Sequence, residues 1–261
     1  MSKPLKNPPV YFTVAQVRFN TLLKLSEYLP PIQDGLRRAG YPAFSTRSTV
    51  ALQFNVQEGQ TVPQPIAHEQ YFFANVEQTH SFVLGADALT FQSTNYGTYE
   101  RFSDAFLKGL ALVHDVVKLD FTERVGLRYL DHVSPKTGDA LDRYLTPEAQ
   151  GLGARLGGQP VHSLLEMLNA VGNVWLRSRI LTQEGGLAFP PDLQPEGMLV
   201  DARFAKANGK HAIIDTDGFV QGRELFSLDG VSNHLSSIHD VISVAFRATV
   251  TPHALAVWDE E

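Results

Sequence analysis

The chain has 261 residues, no cysteine, and 28 acidic against 22 basic side chains, a formal net charge of −6. Lacking cysteine, it has no disulfide, thiolate zinc site, iron–sulfur cluster or cysteine nucleophile, and this composition fits a reducing cytoplasm. The acidic balance argues against a general nucleic-acid coat, which needs a basic surface, and no apolar run approaches the roughly 18 residues of a membrane span.

In chain order, Tyr11–Phe19 reads as a strand rich in aromatic and β-branched residues. Tyr28–Ala39 has helical spacing from Ile32 to Leu36, with Gly40 as its stop. Strands are predicted at Thr46–Val56, Gln70–Gln78, Ser81–Ala86 and Leu89–Asn95, the last three as a meander. Tyr99–Lys118 is the clearest helix of the first half, with Phe102, Phe106, Leu110, Val113 and Val117 on one stripe. Glu123–Val133 then reads as a strand and Ala140–Gln150 as a short helix. Further strands are expected at Ser163–Val171, Val174–Thr182, Met198–Lys206 and His211–Asp215, before a long helix from about Asp229 to Arg247.

The two halves share short matches: Val17-Arg18-Phe19 with Leu127-Arg128-Tyr129, and Val113-His114-Asp115 with Ile238-His239-Asp240. The expected fold is therefore α+β: two tandem β-α-β(3–4)-α repeats, residues 10–118 and 123–250, each an antiparallel sheet with helices packed on one face. That architecture resembles tandem TATA-binding-protein-like and helix-grip folds, and architecture alone does not settle function. Three blocks also resemble a sporadically distributed family of uncharacterised prokaryotic proteins of about 250 residues. They are Asn7-Pro8-Pro9-Val10 with Gln16-Val17-Arg18-Phe19, then Arg124 to Tyr129, and Ile214-Asp215-Thr216-Asp217 with Ile238-His239-Asp240. The resemblance transfers no catalytic residue, and Asp131-His132 departs from the family pattern.

No motif announces chemistry. There is no His-x-x-x-His pair or His-Glu-x-x-His for a metal, no Gly-x-Ser-x-Gly elbow and no phosphate loop, so neither metal nor cofactor is expected. His114 and His239 fall at the flanks of their helices' apolar stripes and read as structural.

Strand alternation supplies the candidate surface. Arg18 and Arg128 point away from the apolar faces of their strands, as do Trp175, Arg177 and Arg179 in the strand from Val174 and Arg203 in Met198–Lys206. Five arginines and an aromatic platform on an open sheet face suit a protein partner or a small acidic ligand. The competing reading is that Asp201, Glu123 and Asp131 neutralise them. The expected function is a binding or interaction protein that uses this face or the cleft between the halves. The alternatives are an enzyme acting on a small ligand in a pocket and, third, a nucleic-acid binder.

Overall fold

The computed structural model describes residues 5–57, 60–156 and 161–260, and for 49–57 and 60–68 it describes the backbone alone. Nine strands form one antiparallel sheet: β1 (Val10–Phe19), β2 (Ala43–Gln57), β3 (Gln60–Ala74), β4 (His80–Leu84), β5 (Ala88–Ser93), β6 (Phe121–Val133), β7 (Ser163–Val171), β8 (Val174–Glu184) and β9 (Lys210–Leu225). Their order is β2-β3-β4-β5-β1-β6-β9-β8-β7. Three long helices, α1 (Leu25–Arg38), α2 (Tyr99–Val117) and α6 (Leu228–Thr249), lie on one face. The remaining helices are short: α3 (Pro147–Gln150), α4 (Gly153–Leu156), α5 (Ala202–Ala205) and α7 (Pro252–Asp259). Among the described residues no helix is long and apolar enough to cross a membrane.

The helix face is built from the sequence's own periodicities. Ala15, Val17 and Phe19 alternate along β1, Val125, Leu127 and Tyr129 along β6, and both sets pack against Phe102, Phe106 and Leu110 of α2 and Leu235, Ile238 and Ile242 of α6. Each long second helix has its predicted start, because a hydroxyl caps it: Thr98 accepts from the Arg101 amide and Ser227 from that of Gly230. Close approach is bought with glycine at Gly109 on α2, where an added Cβ would stand 2.2 Å from the buried Phe82 ring. Gly109→Ala, a change that ordinarily favours a helix by about 1 kcal/mol, is therefore expected to destabilise the protein by about 1–3 kcal/mol. Urea denaturation checks the sign, and an equal or higher midpoint would show that Phe82 yields.

The expected pair of tandem repeats, each with helices on one face, is not what the chain forms. Strands β1 and β6 pair directly, Ala15 opposite Leu127 and Val17 opposite Val125, so a single nine-stranded sheet runs through the molecule. Helices also lie on both faces. Leu187 to Phe204, with α5, crosses the face opposite the long helices and buries Tyr11, Phe12, Val14, Leu130 and Ile213. This strap is held by the Tyr11 hydroxyl, which donates to the Ala188 carbonyl at 2.7 Å, and by Thr94, which donates to the Leu199 carbonyl at 2.6 Å.

Three local expectations also change. Met198–Lys206 is no strand: the Asp201 carboxylate accepts from the Arg203 amide at 2.7 Å and starts the single turn of α5. Ala140–Gln150 breaks into a 3-10 turn, Leu141–Arg143, and α3, because Pro147 fits only a helix's first turn. The strand expected to end at Asp215 continues to Leu225, since Gly218 does not stop it; Gly218 is where Ile238 of α6 presses onto β9. Helix α7 closes a second core of Tyr144, Leu145, Ile214 and Trp258 beyond the end of α6.

Candidate functional site

The arginines of the candidate surface are brought together, with one exception. Arg18, Arg128, Arg177, Arg179 and Trp175 all lie on the face opposite the long helices, as alternation predicts, and Arg124 of β6 joins them. Arg203 does not, because it sits on α5, stacked on Phe204 and donating to the Pro8 carbonyl. Carboxylates match these cations closely. Arg128 grips Asp215 with two bonds of 2.7 Å and reaches Asp192 at 2.7 Å. Arg179 pairs with Glu166 and lies 3.5 Å from Asp215, Arg124 lies 3.4 Å from Asp217, and Arg177 is in register with Asp217. Arg18 and Arg124 stand directly opposite each other, an unfavourable pairing that Arg18 relieves by turning to Asp87 at 2.9 Å.

None of the three carboxylates expected to neutralise this face does so. Asp201 caps α5, Glu123 pairs with Arg223, and Asp131 points to the other side. The ion pairs set the local titration. Burial lowers the Arg128 pKa, but its hydrogen bonds to Asp215 and Asp192 outweigh that and hold the guanidinium charged, while the same bond lowers Asp192. Burial raises Asp217 despite its arginine neighbours.

A different place gathers groups without such compensation. Between the start of α2, the middle of α6, the residues before β1 and the end of β6 lies a cleft of about 220 Å³. Its wall is a chain of polar rings. The Tyr129 hydroxyl lies 2.9 Å from that of Tyr96 and 3.2 Å from His239 Nδ1, His239 stacks on Tyr99 at 4.0 Å, and its Nε2 lies 3.5 Å from Ser243 Oγ. Under them a polar row crosses the helix face of the sheet: Ser93, Thr13, Tyr129, Thr216 and Ser178 stand side by side on five adjacent strands. The hydroxyls of Thr13 and Thr216 are buried with no partner among the described residues, an arrangement that costs stability in an ordinary core.

Asp131 stands at this wall, two residues past Tyr129 and on the same face of β6. It is 6% exposed, and no hydrogen bond or ion pair reaches its carboxyl among the described residues. Burial alone pushes its pKa up to about 7. Burial also lowers His239 and raises Tyr96 and Tyr129, so the rings of the wall are neutral at pH 7. Glu100 and Arg247 line the outer part of the cleft and are exposed.

Of the two helix histidines, His114 is an anchor: its Nδ1 accepts from the Leu119 amide at 3.1 Å and its ring stacks on Phe226. His239 instead belongs to the cleft. On the opposite face His132 packs against His211 with its Nε2 buried and unpartnered among the described residues, and burial pushes its pKa down to about 4. Among the described residues no three His, Asp or Glu side chains cluster as a metal site would require.

Alternation could have found Asp131, because Leu127, Tyr129 and Asp131 share one face and a carboxylate there points into a core. Tyr96, Tyr99 and Ser243 carry no such signal; they meet Tyr129 only through the packing of α2 and α6. Compared with known proteins, the chain matches no family model, and no curated sequence matches it.

Proposed function

We propose that the protein binds a small molecule in the cleft between α2 and α6. The observation that carries this reading is Asp131, a buried carboxyl with no partner among the described residues, at the wall of a pocket lined by aromatic rings. Protein folds rarely leave such a group unpaired without a use for it, and a concave site with a few convergent polar groups is the usual form of a small-ligand site. The arginine face supports binding less well, because carboxylates of the same chain already offset its charges and leave little to attract an acidic partner.

A fragment screen followed by amide NMR shifts tests the proposal. Bound fragments are expected to shift Tyr96 to Glu100, Asp131 and Ser243 to Arg247. Ser243→Phe, which fills the cleft, should abolish those shifts at an unchanged melting temperature. Fragments gathering around Arg128 and Trp175 instead, or none saturating in the cleft, would refute it.

General acid–base catalysis in the same cleft is the second reading. It is favoured by a carboxyl titrating near neutrality beside a neutral histidine. Here Asp131→Asn would keep ligand affinity within a few-fold and remove turnover.

A further inference from the structure

Resting on the cleft reading, we propose that its ligand is a protonated amine on a small apolar body, with the ammonium seated on Asp131 and the apolar part among Tyr96, Tyr99 and Phe246. The charge balance of the walls supports this. Glu100 and Arg247 line the outer part of the cleft and are exposed to solvent, whereas Asp131 is the buried carboxyl of its interior. An anionic ligand would meet that carboxyl with no buried cation to compensate it, because His239 carries no charge at pH 7. A cation there gains both an opposite charge and the negative faces of tyrosine rings. The cleft of about 220 Å³ has room for a small amine.

The groups facing Asp131 fix the proton balance of binding. They are Tyr129 on its own strand, Tyr96, Tyr99 and Glu100 at the start of α2, and His239 and Arg247 on α6. The tyrosines and His239 are neutral at pH 7, and Glu100 is held ionised by its hydrogen bonds. When an ammonium binds, the Asp131 carboxyl gives its proton to solvent and becomes the counter-ion, so one proton leaves for each amine bound below the carboxyl's pKa. Around pH 9 no proton is released.

Isothermal titration with three probes of one shape separates the possibilities: 2-phenylethylammonium, 2-phenylethanol and 3-phenylpropionate. The expected result is that the ammonium binds at least tenfold tighter than the alcohol and that the carboxylate does not bind. At pH 6, buffers of different ionisation enthalpy should report close to one proton released, and Asp131→Asn should lose the ammonium preference while keeping the alcohol. Equal binding of alcohol and ammonium, or tightest binding of the carboxylate, would overturn the cation assignment and leave the cleft reading standing. Failure of all three probes, with fragments of other chemistry still seated in the cleft, overturns the assignment in the same way. An empty cleft in both experiments overturns both.

Discussion

Replacing Arg128 with methionine is expected to lower the free energy of unfolding by about 3–5 kcal/mol, the cost of leaving a buried charge without its partner. Asp215 is the charge in question: its side chain is 5% exposed and two of its contacts are the 2.7 Å bonds from Arg128. Arg179 stays 3.5 Å away and is engaged by Glu166, so it replaces neither bond. Removing both charges should be far milder, because an apolar pair of similar shape needs no compensation. Denaturant unfolding of Arg128→Met, Asp215→Leu and the double variant therefore forms a closed cycle. A single-variant loss under 1 kcal/mol would mean that solvent reaches Asp215. A double variant as damaged as the sum of the singles would mean that the pair is not coupled.

The second large effect concerns pH and Asp131. The unfolded chain releases this proton near pH 3.8, while the folded protein keeps it to about pH 7. Across that window the folded state binds more protons, so stability falls as pH rises and is lowest above pH 7, by ~4 kcal/mol relative to acid. His132 works the other way: its pKa falls from 6.5 to about 4 on folding, so its contribution is present above 6.5 and is lost as pH falls toward 4. The two slopes oppose each other, and the wild-type profile hides both. The difference between Asp131→Asn and wild type isolates one of them. It should be small at pH 4 and grow until the variant is more stable by up to ~4 kcal/mol at pH 8. A difference that does not change with pH would show that Asp131 is ionised in the folded protein.

Both effects sit on residues whose placement was only partly readable. Alternation sets the face of Arg18, Arg128, Arg177 and Arg179 correctly because β1 from Phe12 to Arg18, β6 from Arg124 to Leu130 and β8 pair with their neighbours without a register shift. Asp87 and Asp192, which answer Arg18 and Arg128, lie in connections at separations of 69 and 64 residues, and no local pattern brings them there. Arg203 shows the converse failure. Val200, Ala202 and Phe204 alternate like a strand, yet the short side chain of Asp201 competes for the backbone and turns it. The long stripes of α2 and α6 were legible because three or four turns of period 3.6 outweigh any local competitor. The cleft is a product of how those two helices meet over β6, where Tyr129 reaches His239 across a separation of 110 residues.

The pairing of β1 with β6 also sets an order of events during synthesis. Strand β1 meets β5 within the first 93 residues, but its other edge waits for partners between Thr122 and Asp131. Until β6 leaves the ribosome, the nascent chain presents that strand edge with its amides and carbonyls unpaired, a template for any neighbouring chain. A polysome carrying several such chains is exposed to mispairing from the emergence of β1 until the emergence of β6. Slower translation at any point before β6 has cleared the ribosome would prolong that interval, and slower translation after that point would not.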